Sequence, residues 1–469
     1  RFGKTVNANM VGAYFAKGLN ASSVFEPLAI AKTRDYQKHL NRHNVIYIDC
    51  SRMPDICQSY ETYIRGILDG LKADLIEAYP KLAGKEYSMI SRMFMDAEES
   101  FIFVLDEWDA VLGKEFMTQN TKAAYLDFLK GLLKDQPYVD LVYMTGVLPI
   151  AKHSSGSELN MFEEFSFMND SEFDRYFGFD EDEVKELCRK AGTLSFDEVK
   201  YWYDGYFTSD GKSLFNPRSV NFALTRGKCL NYWTETGPMN EVADCIEHNI
   251  DEVREDIVKM VADIPVEVRL KGYSASEFQM NTRDEILSAM VVYGFLSYHD
   301  GYLIIPNHEL MEKFQDVLDR ESMGEVRDIV EMSRDILRAT LQKDEDRVAA
   351  MIEKVHDREI PFLQYNDENA LSCVITLCYL AARDNYFIER EAKSGKGYCD
   401  YLLIPKRKNL PAIILELKVG AGSKEAIRQI KARNYVEKVK ECKDILLVGI
   451  AYNKRKQHEC KIESFCAIC

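Results

Sequence analysis

At 469 residues the chain is long for a single hydrophobic core, and two or three domains are expected. It is 46% hydrophobic and 29% charged, the balance of a globular protein, and has no apolar stretch long enough to span a bilayer. A net charge of −16 excludes a uniformly basic surface, yet the charge is uneven: from Tyr365 onward 19 Lys+Arg stand against 13 Asp+Glu (net +6), leaving 41 against 63 (net −22) elsewhere. Such asymmetry points to a tail that meets a polyanion and a body that does not. Twelve cysteines scattered through apolar segments fit reduced core residues and a cytoplasmic location, and no signal peptide is evident.

In chain order, "RFGKT" comes first and runs straight into a helix. Gly3, Lys4 and Thr5 are the closing half of a phosphate-binding loop. There a helix N-terminus and backbone N–H groups hold the phosphates, the lysine reaches the β/γ-phosphates, and the hydroxyl ligates Mg²⁺. The chain opens on Arg1 and reads as an internal start, with the loop's opening residues and its strand lying upstream. "NVIYIDC" (44–50), "FIFVLDEWD" (101–109) and "VDLVYMTG" (139–146) read as strands buried on both faces. Helical stretches at 61–78 and 121–134 between them predict a parallel sheet with crossover helices. Asp106 at a strand's C-terminal end suits Mg²⁺ ligation, Glu107 suits the orienting of an attacking water, and Thr145 ends the next strand as a γ-phosphate sensor.

After about Asp170 the strand pattern fades. "FGFDEDEVKELCRKAG" carries an acidic first turn and a closing glycine, the marks of a helix. "WYDGY" offers Trp202 and Tyr203 either as a base-stacking platform or, as we favour, an interface plug. Arg218 in "FNPRSV" and the loop residue His153 are weaker candidates, for phosphate sensing and for general-base work. A strand pair is expected within 294–305, then alternating acidic and basic helices from 325 to 356. The middle region thus reads as a mostly helical lid or adaptor.

The tail holds "AIILELKVG". Residues two apart on a strand share a face, so Glu416 and Lys418 project together from an otherwise apolar strand. Two buried charges call for pairing, a rim position or a metal. Upstream, Asp400 sits early in the second strand of a hairpin that turns at Gly395 and Gly397. Asp400 followed by Glu416-x-Lys418 is the spacing of the PD-(D/E)XK nucleases. The two carboxylates would hold Mg²⁺ at a scissile phosphate, with the lysine positioning water and steadying the pentavalent phosphate. Glu368, on an amphipathic helix ahead of the hairpin, would complete the metal site. The helix "EAIRQIKARNY" places Arg428 and Lys431, with Gln429 between them, as a basic flank suited to a phosphate backbone. Cys460, Cys466 and Cys469 near His458 lack a second well-spaced ligand pair for zinc, and Cys460–Ile462 alternates like a strand.

With these motifs in hand, the chain resembles the bacterial AAA-ATPase-like proteins that carry a C-terminal PD-(D/E)XK nuclease-like domain. The likeness runs through "RFGKT", "LDEWD", "TGVLPIAKHSSGSELNMFEEFSF", "FGFDEDEV", "WYDGY", "FNPRSV", "NYWTETG", "GKGYCDYLLIP", "ILELKV" and "AIRQIKARNY", and so through essentially the whole chain. In that family the loop opens "RPRRFGK[ST]"; Lys4 and Thr5 carry over, and the earlier arginines fall before Arg1. The resemblance implies an α/β fold: a P-loop NTPase core over 1–170, a helical lid or adaptor over 171–345, and a restriction-endonuclease-like α/β domain over 346–469. It implies ATP at Lys4, Thr5, Asp106 and Glu107. It also implies Mg²⁺-dependent phosphodiester chemistry at Glu368, Asp400, Glu416 and Lys418, with Gln429 and Tyr435 supporting. The expected function is a nucleotide-regulated nuclease acting on DNA rather than RNA, with no membrane partner and homo-oligomerisation left open. The alternative is an ATP-dependent nucleic-acid-binding or scaffold switch whose nuclease-like domain does not cut.

Overall fold

The computed structural model describes residues 2–147, 161–165, 172–233, 246, 253–269, 282–318, 325–356, 368–394, 397–407, 409–452 and 457–466. The chain divides into two compact units. One comprises Arg1–Phe196, Tyr206–Lys228 and Arg269–Phe295; the other comprises Asp197–Gly205, Cys229–Val268 and Leu296–Cys469.

The first unit is organised by a parallel sheet of β1 (Asn44–Asp49), β2 (Phe101–Asp106) and β3 (Val139–Met144), in that spatial order. All three stand where the apolar runs predicted strands. Only β2 is buried along its whole length; β1 and β3 flank it and are part-exposed, with Leu141 at 44% exposure. The expectation of burial on both faces therefore holds for the central strand alone, since a flanking strand has a neighbour on one side fewer. Along β2 the side chains divide by parity. Phe101, Phe103 and Leu105 enter a large cluster with Tyr63, Phe94, Tyr125 and Tyr138, while Ile102 and Val104 pack against Ala8 of α1 (Lys4–Phe15). The large cluster is covered by α2 (Tyr60–Ala78), α3 (Ile90–Ala97) and α4 (Gln119–Leu133). Ser59 caps α2 by accepting from Thr62 N–H, and Thr118 caps α4 by accepting from Thr121 N–H. Further along, α5 (Glu181–Ala191) has the full reciprocal box of Asp180 and Glu183 and stops at Gly192 in the left-handed region, as its sequence predicts. A two-residue ladder of β4 (Tyr206–Phe207) and β5 (Ser213–Leu214) precedes α7 (Pro217–Arg226); α6 (Phe196–Tyr203) lies before it in the chain.

In the second unit, α8 (Val253–Val261) leads into a small sheet of β6 (Val266–Glu267), β7 (Ser297–His299) and β8 (Tyr302–Ile304). β7 and β8 are the antiparallel pair expected within 294–305. α9 (Arg283–Val292) belongs to the first unit. Returning to the second unit, α10 (His308–Leu318), α11 (Glu325–Gln342) and α12 (Glu345–His356) are followed by α13 (Glu368–Cys378). The unit's main sheet has the order β13-β12-β11-β10-β9, built from β9 (Tyr386–Ser394), β10 (Gly397–Pro405), β11 (Ala412–Val419), β12 (Asp444–Tyr452) and β13 (His458–Cys466). β11 and β12 run parallel and the remaining pairs antiparallel. α14 (Ser423–Ala432) packs on β11 and β12 through Ile427 and Ile430, and α13 packs on β11. The central position of β11 answers why its glutamate and lysine matter: they sit mid-sheet, where apolar residues belong.

Candidate functional site

The C-terminal edge of the first unit's parallel sheet gathers the residues predicted to hold a nucleotide. Gly3 caps α1 with φ 94°, a left-handed conformation that glycine adopts without strain. Lys4 reaches from the first turn to donate its Nζ proton to Gly146 O at 2.5 Å, just beyond β3. Asp106, 2% exposed at the end of β2, accepts the Thr145 hydroxyl on Oδ1 and the Tyr47 hydroxyl on Oδ2, the latter at 3.4 Å. Burial, with the charge of Asp106 beside it, pushes the Tyr47 phenol up to about 12, so it stays a proton donor. Glu107 is exposed and turned out by a positive φ of 51°, while its N–H donates to Thr145 Oγ1 at 3.3 Å. Thr5 is exposed on the first turn of α1.

Three contributors escaped the sequence reading. Tyr47 was counted only as a strand residue. Asp109, 7% exposed, accepts Val147 N–H at 2.9 Å and pins the turn that carries Gly146. Gly146 itself is required by space: a Cβ there would lie 2.4 Å from Trp108 Nε1 and 2.8 Å from Asp109 Oδ1. The signals available were the last acid of "LDEWD" and the glycine of "MTG".

The second constellation lies on β10 and β11. Glu416 is 1% exposed, and its Oε1 accepts Gln429 Nε2 from α14 and lies 3.4 Å from Lys418 Nζ. Tyr435 Oη stands 3.4 Å from the same Gln429 nitrogen, tying strand, helix and following turn together. Glu416 Oε2 is buried with no hydrogen-bond partner among the described residues. Burial, with the negative charge of Asp400 next in weight, pushes the Glu416 carboxyl up to about 7. Asp400 Oδ2 accepts the N–H of Leu417 at 2.6 Å, which fixes it against the strand that carries Glu416.

Asp400 reaches this position through a break in the strand pattern. Cys399 and Leu402 both belong to the core under α14, although an unbroken strand would send them to opposite faces. Tyr401 and Leu403 face the other way, into a cavity they line with Ile375, Tyr379 and Leu415. Alternation thus slips once, at Asp400. On the partner strand Glu391 has a positive φ of 47°, opposite the step where pairing passes from Cys399↔Ala392 to Tyr401↔Arg390.

The donor set suits a hard divalent cation. Two carboxylates converge, one has a buried oxygen with nothing to bond, and such ions take one or two carboxylates and keep waters. Among the described residues no group of three His, Cys, Asp or Glu side chains gathers at one point. Glu368 opens α13, but its side chain lies outside the described residues, as do Gly395 of the hairpin turn, His153 and Cys469.

Arg428 and Lys431 stand on α14 as expected, each engaged by an acid: Arg428 with Glu425 at 2.8 Å and Lys431 with Glu463 at 2.5 Å. Of the other candidates, Trp202 and Tyr203 are buried, and Tyr203 donates its hydroxyl to Leu230 O at 2.8 Å. Arg218 is exposed, its guanidinium 5.0 Å from the centre of the Phe222 ring.

Comparison with known families bears on both constellations. Residues 1–155 match the family model described as "Predicted AAA-ATPase". Residues 366–462 match the PD-(D/E)XK nuclease superfamily. Residues 1–155 are thus an AAA-ATPase-like domain and residues 366–462 a domain of the PD-(D/E)XK nuclease superfamily. This AAA-ATPase-like nuclease-superfamily chain is a hydrolase of mixed α/β fold, and the families of its two domains use nucleotide and divalent metal ions. Among solved structures it is similar to a Walker-type ATPase of Pyrococcus abyssi, at 11% identity and a TM-score of 0.30, over 61% of this chain and 89% of that one. No curated protein matches it. Among the described residues no helix is long and apolar enough to cross a membrane.

Proposed function

We propose that this chain is a nucleotide-regulated, Mg²⁺-dependent nuclease that hydrolyses phosphodiester bonds of DNA, with the ATPase-like part acting as switch or loader. The observation that carries the reading is the buried Glu416 carboxyl. It has an unpartnered oxygen, Asp400 beside it and Lys418 at 3.4 Å. A structural ion pair has no use for an empty oxygen, whereas a cation site needs one. Asp400 and Glu416, with Glu368, would hold Mg²⁺, which when bound supplies charge neutralisation and a more acidic water. Lys418 holds its ammonium where charge develops on the phosphate. Gln429 and Tyr435 fix the rotamer of Glu416, and Arg428 and Lys431 flank the backbone path. ATP would lie against Gly3, Lys4 and Thr5, with Thr5 and Asp106 toward its Mg²⁺ and Glu107 and Thr145 toward the γ-phosphate. Domain limits at 1–170, 171–345 and 346–469 and a cytoplasmic location belong to the same reading.

The test incubates the protein with supercoiled DNA, single-stranded DNA and RNA. Mg²⁺ or Mn²⁺ is supplied with and without ATP, and an Asp400→Asn, Lys418→Ala double variant runs alongside. The reading expects DNA cleavage that the double variant lacks. Salt-sensitive binding without cleavage under every condition would replace it with the non-cleaving switch.

A further inference from the structure

The phosphate-loop end of α1 is bordered by a strap of chain that neither constellation uses. Asn7 Nδ2 donates to Tyr176 O at 3.3 Å, and Gly178 N–H donates to Phe2 O at 3.2 Å. Residues 176–178 thus touch the chain on both sides of Gly3, Lys4 and Thr5, all within the first unit. Gly178 has a φ of 97°, the left-handed region that suits glycine, and a Cβ there would lie 3.5 Å from Phe2 Cδ1. The strap's other side is pinned too. Asp174, 5% exposed, accepts the N–H and the hydroxyl of Ser209 on Oδ2 at 2.7 and 2.8 Å, and Arg175 pairs with Asp210 at 2.5 Å.

This fixed backbone carries an open ring. Tyr176 is 71% exposed, more than any other aromatic side chain among the described residues, and its ring centre lies 6.3 Å from that of Phe173, which is also exposed. Beside it, Gly3, Val6, Asn7 and Met10 follow the i, i+3, i+4, i+7 spacing of one helix face. Val6 and Met10 are exposed there, while Ala8 on the far side packs on β2. One apolar face therefore starts at the phosphate-loop glycine, and Asn7 in its middle is hydrogen-bonded to the residue that carries the open ring.

We infer that this surface is the base subsite of the nucleotide site: with the phosphates of ATP at Gly3, Lys4 and Thr5, the adenine ring stacks on Tyr176 beside Val6 and Met10. A base has two flat π-faces that pack on aromatic and aliphatic side chains, and its phosphates tether it to the neighbourhood of the loop. Covering those three side chains with one base removes from water an apolar surface that a purely structural strap leaves exposed. The inference rests on the nucleotide reading above and gives it a contact that recognises the base rather than the phosphates.

The test is calorimetric titration of the protein, in the presence of Mg²⁺, with ATP and separately with inorganic tripolyphosphate, which has the phosphates and no base. Tyr176→Ala is expected to weaken ATP binding by about tenfold or more and to leave tripolyphosphate binding within about twofold. Tyr176→Phe should bind ATP as the wild type does, since the ring and not the hydroxyl makes the stack. Lys4→Ala should weaken both ligands, because it acts on the phosphates. If Tyr176→Ala binds ATP as the wild type does, or weakens both ligands equally, the inference is overturned while the nucleotide reading stands. If the wild type binds neither ligand, the nucleotide reading falls and this inference with it.

Discussion

Asp106 and Glu416 invite comparison. Each is a carboxylate at the C-terminal part of a central strand, 2% and 1% exposed, in a different unit of the chain. Asp106 has both oxygens occupied by hydroxyls delivered from the strands on either side, Tyr47 from β1 and Thr145 from β3. Glu416 has one oxygen held by Gln429 and Lys418 and the other left with no partner, close to a second carboxylate. The first arrangement satisfies both oxygens with hydroxyls and fixes how the side chain points. The second is costly until a proton or a cation arrives, which is why its carboxyl is pushed up to about 7. One site is prepared to orient, the other to bind.

The contrast can be broken most decisively at the second site. Asp400→Asn or Lys418→Ala should lower DNA cleavage by at least about a thousandfold with little change in melting temperature, because each removes charge from the reacting centre and not from the core. Retained cleavage in either variant would place the chemistry elsewhere. At the first site, Lys4→Ala should lower ATP hydrolysis roughly a hundredfold, and nucleotide-free cleavage should be unchanged; kinetics of both activities in one preparation would show whether the two centres separate. Gly146→Ala tests the packing that brings Lys4 and Asp109 to the sheet edge. A methyl 2.4 Å from Trp108 Nε1 should destabilise the ATPase-like part by about 1–3 kcal/mol, read as a lower melting temperature.

The smallest effect is the most specific. A carboxyl raised from 4.5 to about 7 holds its proton in the folded protein where the unfolded chain has lost it. Its contribution to stability is therefore fully present below about pH 4.5 and is lost as the pH rises through about 7. Without divalent cation, the difference in melting temperature between the wild type and Glu416→Gln should shift against the wild type across that range. A difference that stays flat with pH would mean that Glu416 is ordinarily solvated.

Much of this was legible in the sequence because the decisive rules are local. Period-two spacing alone puts Glu416 and Lys418 on one face, and the caps of α5 spell its ends. What was not legible depends on neighbours distant in the chain. An apolar run does not tell the fully buried β2 from the flanking β1 and β3. Nothing near Asp400 announces the slip in alternation, which needs Glu391 on the partner strand to be seen. Glu425, which engages Arg428, was one helical turn away and readable; Glu463, which engages Lys431, lies on β13 and was not. Tyr47 meets Asp106 only because β1 and β2 pair in parallel with their ends aligned.

The central claim is that Glu416 is a carboxylate waiting for a cation. Calorimetric titration of Mn²⁺ into the protein at pH 6 and pH 8, in parallel with Glu416→Gln, tests it most directly, these values bracketing a carboxyl near 7. The account predicts binding about tenfold tighter at pH 8, where no proton competes, and loss of that binding in the variant. Equal affinity at both pH values, or unchanged affinity in Glu416→Gln, would contradict it.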